Sequence, residues 1–240
     1  VACMAGEGGV GCAWPREGRR ILITRRARLN GPALVAVLAS GQLNHPPAST
    51  DHLVVRDSLR ADVHGDGGAS ARDLLAGLGA ELVVGDVRDA AAVTAALSGV
   101  DAVIHLAAKV GLGVGIDDMD DYVSSNNLGS ATLLRAMATA DVRRFVQASS
   151  MVVYGEGRYN CPEHGPVSPV ARTRETLSHG HFEPSCSLCG DDLLPGLVTE
   201  DAAMDPRNTY AATKVAQEFL AAIWSRAPVA SAISLPLHND

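Results

Sequence analysis

The sequence predicts an α/β fold: a doubly wound parallel sheet, interrupted late by a Cys- and His-rich insert. Three observations predict it. Between residues 20 and 150, short apolar runs suited to buried strands alternate with stretches of helical periodicity. Strands that alternate with helices pack as a parallel sheet with right-handed crossovers. Residues 155–207 then break the rhythm, and a helix from Asn208 followed by an apolar run at residues 229–234 resumes it.

The elements follow in order. Residues 20–24 (RILIT) form the first strand, and Gly31 to Ser40 a helix with Leu34, Val35, Val37 and Leu38 as its apolar stripe. Residues 42–51 carry prolines and serines and read as a loop. Residues 52–57 (HLVVRD) are a second strand that ends on an acid, and a Gly-rich polar loop leads to a short helix over 71–79. Leu82, Val83 and Val84 make a third strand. Asp89 is placed to cap the helix that begins at Ala90. A fourth strand runs over 101–108, residues 117–138 are mostly helix, and 142–150 supply a fifth strand. Residues 155–207 show little periodicity and are expected to lack regular structure. A stretch of that length is functional or is held by something other than a core.

Composition bounds the function. The 240 residues suffice for one sizeable core, and 47% hydrophobic with 20% charged residues is a globular profile. A formal charge of -7 argues against nucleic acid or an anionic membrane as the main partner. No apolar run approaches the roughly 20 residues of a spanning helix. Residues 1–18 read as a loose Gly-rich tail without the pattern of a signal peptide, so the expected location is cytoplasmic.

Two constellations carry chemistry. Tyr210 and Lys214 lie four apart at the head of a helix, so the phenol and the ammonium share one face. A nearby ammonium favours the phenolate and is expected to lower the tyrosine pKa, making an acid/base group. The chain has only two lysines, Lys109 and Lys214, which sets Lys214 apart from filler. In the insert, Cys161-x-x-His164 and Cys186-x-x-Cys189 have spacings that suit tetrahedral zinc. The bland alternative is free thiols in a loop. Four protein ligands would make the zinc structural. His105 reads as a core histidine, and Lys109 as a residue facing solvent.

Several motifs occur in one order: residues 21–24 (ILIT), 85–89 (GDVRD), 105–108 (HLAA), 126–130 (NNLGS), Ser149-Ser150 before residues 153–155 (VYG), and 210–214 (YAATK). With them the sequence resembles the extended short-chain dehydrogenase/reductase family, specifically its NAD-dependent nucleotide-sugar epimerases and dehydratases. The resemblance covers about residues 19–226. It implies a Rossmann-like domain over 19–240, interrupted by the insert, with a truncated C-terminal substrate domain. It implies NAD as cofactor, a nucleotide-diphosphate sugar as substrate and a homodimer as assembly. Tyr210 would be the acid/base toward a sugar hydroxyl. Lys214 would hold the nicotinamide ribose, and Ser150 would hydrogen-bond the reacting oxygen. Asp57 would accept the adenosine ribose hydroxyls, which implies NAD rather than NADP; read alone, it is an ordinary turn residue. Asp86 and Val87 would line the adenine, and Ala107 and Ala108 the middle of the cofactor. Asn126 would sit behind the nicotinamide, with Thr24 and Gly31 at the phosphate turn. The insert resembles the branch of dTDP-L-rhamnose 4-epimerase-like proteins. Such enzymes invert a sugar by transient oxidation at C4.

The phosphate turn departs from the family pattern. Arg25 and Arg28 stand where the first two glycines of a Gly-x-x-Gly-x-x-Gly turn belong, and only Gly31 remains. An arginine there is expected to strain a left-handed backbone and to fill the path of the cofactor. From Gly31 to Asp57 there are 26 residues, so the intervening loop looks enlarged. The alternative reading is therefore a truncated or degenerate relative without cofactor or catalysis, acting as an interaction or scaffold protein.

Overall fold

The computed structural model of the chain describes residues 18–25, 30–40, 51–60, 64, 66–111, 116–170, 172–228 and 230–237. The expected tail up to residue 17, Arg28 and most of the enlarged loop lie outside the described residues. The elements are β1 (Arg20–Arg25), α1 (Asn30–Ser40), β2 (His52–Asp57), α2 (Ala69–Gly77), β3 (Glu81–Val84), α3 (Ala90–Ala96), β4 (Ala102–His105), α4 (Met119–Tyr122) and α5 (Gly129–Thr139). After them come β5 (Arg144–Ala148), β6 (Arg158–Cys161), β7 (Gly165–Val167), α6 (Arg174–Ser178), β8 (Leu194–Gly196), α7 (Thr209–Trp224) and β9 (Ser231–Leu235).

Six strands form one parallel sheet in the order β3-β2-β1-β4-β5-β9. The order reverses at β1, so the next connection crosses to β4 and leaves a crevice at the carboxyl ends of these two strands. Side chains alternate across the sheet because the strand period is two. Ile21 and Ile23 of β1, with Leu53 and Val55 of β2, pack on Val35 of α1 and Leu75 of α2. Leu22, Val54, Val103 and Phe145 point to the other face, against Val93, Leu133, Met137 and Ala221 from α3, α5 and α7. Each such buried side chain contributes about 1.5–3 kcal/mol relative to exposure. Both faces are covered, which is why these strands read as continuous apolar runs.

Two details of the helices bear on function. Asp89 caps α3 by accepting from the Ala92 N–H at 3.1 Å, and Asn208 caps α7 by accepting from the Ala211 N–H at 2.8 Å. The stretch between α4 and α5 is not one regular helix: Val123–Leu128 forms a π-helical turn. Such turns are inserted where a side chain must be re-aimed, and this one carries Asn126.

The insert corrects an expectation. Residues 155–207 contain a three-stranded antiparallel sheet, β7-β6-β8, and the short helix α6. Tyr159, Val167 and Leu193 pack with Cys161 and Cys186 in a small cluster of its own. The strands are three or four residues long, too short for their periodicity to show in sequence.

Candidate functional site

A narrow cleft of about 30 Å³ opens at the carboxyl ends of β1 to β4. Thr24, Asp86, Val87, Ala107 and Ala108, five of the residues expected to meet a cofactor, line it together with Arg25, Arg56, Arg60 and Ser125. Arg56 is 2% exposed and donates to the carbonyls of Asp86 at 2.9 Å and Ala92 at 3.0 Å, holding the loop after β3 in place. Asp86 itself pairs with Arg88 at 2.6 Å, and that hydrogen bond holds its carboxyl below the ordinary range.

At the end of β2 the geometry is unusual. Parallel pairing sets Arg25 beside Asp57. The Arg25 Nε lies 3.6 Å from Asp57 Oδ2, and His64 Nε2 lies 3.5 Å from the same oxygen. Asp57 Oδ1 accepts from the Leu59 N–H at 3.0 Å. Arg25 continues the extended strand, and the only non-glycine residues with positive φ among the described ones are Leu59 and Asp141. The expected backbone strain at Arg25 is thus absent. What is present is a buried side chain: a Cβ added at Gly31 would stand 2.6 Å from Arg25 Cδ. Burial depresses the Arg25 pKa, partly offset by Asp57.

On the far side of the crevice, α7 presents Tyr210 and Lys214. The Tyr210 hydroxyl hydrogen-bonds Ser150, and the Lys214 ammonium lies 5.8 Å from the centre of the Tyr210 ring. The three expected residues are therefore brought together. Their electrostatics differ from expectation. Burial raises the Tyr210 pKa above its ordinary value, and the opposing influence is the Ser150 hydrogen bond rather than Lys214. Lys214 is 3% exposed, and burial lowers its pKa to about 8 while Glu218 acts in the other direction. Its ammonium donates to the Ala148 carbonyl at 2.8 Å, at the end of β5. Glu218, one turn further along α7, accepts a short hydrogen bond from Ser149.

Asn126 is fully buried and ties the halves of the site together. Its Oδ1 accepts from the Lys109 N–H at 2.6 Å, while its Nδ2 donates to the Lys109 carbonyl at 3.0 Å and to Thr213 Oγ1 at 2.8 Å. Lys109 is not turned to solvent as expected: its ammonium sits 2.8 Å from both Asp118 and Asp121. Thr24 Oγ1 lies 2.6 Å from His105 Nδ1, and His105 Nε2 lies 2.8 Å from Ser130 Oγ. Ser130 donates its own proton to the Asn126 carbonyl at 2.7 Å, so it accepts from His105 Nε2–H. That leaves Nδ1 to accept from Thr24. Gln217 of α7 donates to Ser130 at 2.6 Å and closes the network.

This network yields a pH prediction. His105 is 1% exposed; burial, with Lys214 adding to it, lowers its pKa from 6.5 to about 3. The unfolded chain therefore binds a proton that the folded chain refuses throughout that window. Stability from this source is full above pH 6.5 and is lost as pH falls toward 3, a swing on the order of a few kcal/mol. Urea unfolding of wild type and His105→Gln at pH 7.5 and pH 5 reads it directly. An equally steep loss in the variant would remove His105 as the cause.

In the insert, the ligand atoms of Cys161, His164, Cys186 and Cys189 all lie within 4.8 Å of one another. Cys161 Sγ is 3.4 Å from His164 Nδ1 and 3.6 Å from Cys189 Sγ, and Cys186 Sγ is 3.8 Å from His164 Nδ1. Bond lengths to zinc of about 2.3 Å for sulfur and 2.0–2.1 Å for nitrogen give tetrahedral edges of about 3.6–3.8 Å. The donor set fits such an ion. The N–H of Leu188 also points at Cys186 Sγ at 3.4 Å. Backbone hydrogen bonds from Cys189 and Leu188 favour the thiolate form of Cys186 that a metal needs.

Sequence reading missed His64, Arg56 and Gln217. Arg56 carried a signal, since a charge inside an apolar parallel strand must find buried partners. His64 lay within a polar loop and Gln217 within a helix, and neither showed a distinguishing pattern.

Comparison with known proteins agrees with this layout. The model of the NAD dependent epimerase/dehydratase family matches residues 22–184. The chain is 31% identical to the dTDP-L-rhamnose 4-epimerase of Burkholderia thailandensis over 227 residues, 93% of this chain and 58% of that protein. A double mutant of the Streptomyces venezuelae dTDP-glucose 4,6-dehydratase, solved with NAD bound, is 26% identical. It superposes with a TM-score of 0.65 over 90% of this chain and 54% of its own. A short-chain dehydrogenase/reductase superfamily protein from Agrobacterium tumefaciens with bound NAD is 29% identical, with a TM-score of 0.58 over 91% of this chain and 48% of its own. The chain thus spans a little over half the length of the curated relative and about half of each solved one. On the match over residues 22–184 and the parallel sheet that carries it, the chain belongs to the NAD-dependent epimerase/dehydratase family.

Proposed function

We propose that this chain is an NAD-dependent nucleotide-sugar epimerase/dehydratase that 4-epimerises a dTDP- or UDP-linked sugar or deoxysugar. The observation that carries the reading is the grouping of Ser150, Tyr210 and Lys214 beside a cleft at the reversal point of the sheet. When bound, NAD would accept and return a hydride at C4 of the sugar. A dinucleotide would meet Asp86, Val87, Ala107 and Ala108, which line the cleft, but not Asp57, whose carboxylate already faces Arg25 and His64. The work of the chain's own residues is to move and hold protons. Tyr210 takes the hydroxyl proton, Ser150 holds the reacting oxygen, and Lys214 supplies positive charge from beneath. A wider cavity of about 390 Å³ adjoins this group, lined by Met151, Tyr154, Glu156, Val198 and Glu200, and is the place for a sugar.

The finer assignments belong to the same reading. Cys161, His164, Cys186 and Cys189 hold one structural zinc. Phe219 and Ile223, 59% and 61% exposed on α7, pair with a second copy in a homodimer. The location is cytoplasmic; among the described residues no helix is long and apolar enough to cross a membrane. The second reading, a non-catalytic interaction protein, is favoured by Arg25 alone. Incubation with NAD and a panel of dTDP- and UDP-sugars, followed by separation of the epimers, decides between them. No turnover by a folded, NAD-saturated chain would sink the enzyme reading.

A further inference from the structure

We infer that Arg25 decides whether the cleft admits a dinucleotide: its guanidinium is lodged where an adenosine ribose would meet Asp57. The inference rests on the reading of this cleft as a dinucleotide site. Arg25 and Asp57 are 4% and 1% exposed, and His64 is 8% exposed. Yet the groups are held at 3.5–3.6 Å, too far apart to hydrogen-bond. Among the described residues, Arg25 Nε and Nη1, Asp57 Oδ2 and His64 Nε2 are all buried without a hydrogen-bond partner. A buried ion pair without hydrogen bonds gains little over its desolvation cost, so this cluster is not what holds β1 to β2. It is an occupant.

The placement explains what it excludes. The acid at the end of the second strand is the group that takes ribose hydroxyls, and the third glycine of the turn is where the helix packs closely on the strand. Arg25 covers both. Its Nε faces Asp57 Oδ2, and its Cδ lies against the Cα of Gly31, within 2.6 Å of where a Cβ would be. A ribose can reach Asp57 only if the arginine leaves, and the guanidinium must then be rehydrated or find another anion. Arg25 runs in extended backbone and pairs with Asp57 in the strand register, so replacing it does not call for glycine.

The test is calorimetric titration of NAD and, separately, of ADP into the full chain and into Arg25→Ala. ADP carries the adenosine half alone. The variant is expected to bind both at least about tenfold more tightly, a gain of about 1.4 kcal/mol. Arg25→Gly is the second variant should alanine disturb the strand, with the same expectation; circular dichroism checks that each is folded. Equal affinity of wild type and variants overturns the inference. If all bind tightly, the reading of the cleft as a dinucleotide site survives; if none binds, that reading falls with it. A gain for NAD without a gain for ADP also overturns it, because the obstruction would then lie elsewhere.

Discussion

Tyr210→Phe is expected to lower sugar epimerisation by a factor of about 10²–10⁴, the usual range for a positioned proton-transfer group. The fold should be unaffected. Phenylalanine keeps the ring that sits 6.4 Å from the ring of Tyr122 and 5.8 Å from the Lys214 ammonium. The hydroxyl it lacks hydrogen-bonds Ser150. Because burial raises the Tyr210 pKa in the free chain, the proton is held at neutral pH. Something must shift the balance toward phenolate as substrate arrives. Lys214, with a pKa lowered to about 8, is charged below that pH, and its ammonium lies 5.8 Å from the ring centre. Epimer ratios measured by anion-exchange chromatography, with thermal melts in parallel, test the claim. Turnover within a few fold of wild type would remove Tyr210 from the chemistry, whatever its family resemblance.

The second large effect concerns the insert. Stripping metal with a chelator, or Cys186→Ser, is expected to abolish the β7-β6-β8 sheet while leaving the six-stranded sheet folded. Structural zinc sites contribute about 10–16 kcal/mol in small peptides at neutral pH, and losing one ligand forfeits much of that. Little else could hold this unit: its apolar cluster has three buried members, two of which are Cys161 and Cys186 themselves. Elemental analysis should find one zinc per chain. Limited proteolysis should cut within residues 158–196 after chelation and not before. Metal-free protein that resists cleavage there would show that the sheet stands unaided.

How much of this could be read from the sequence depended on length and on repetition. The parallel strands announced themselves because both faces are buried, giving runs such as Leu53-Val54-Val55, and β2 was bounded to the residue. Val215, Phe219 and Ile223 recur at helical spacing along α7, although Phe219 and Ile223 face outward. The short strands of the insert were not legible, since three residues carry no periodicity. At the site, motifs located Ser150, Tyr210, Lys214 and the lining of the cleft. They gave no account of protonation, which burial controls: desolvation raises the Tyr210 pKa, and the opposing influence is the Ser150 hydrogen bond rather than the expected Lys214. Nor could spacing show that Arg25 would lie along its strand and turn inward on Asp57. That follows from register, which is a property of two strands rather than one.

The pairing of β6 with β8 sets Arg158 opposite Gly196. Just outside it, the Asp205 N–H donates to the Val153 carbonyl at 2.8 Å. The chain therefore enters and leaves the insert at one point, like a side branch on a trunk. For such a closed excursion, lengthening the tip costs only about 0.6 kcal/mol per doubling of loop length. Whatever is grafted beyond that neck, or trimmed from it, leaves the start of α7 where it is. Evolution or an engineer can thus rewrite the branch without touching the tyrosine that follows it.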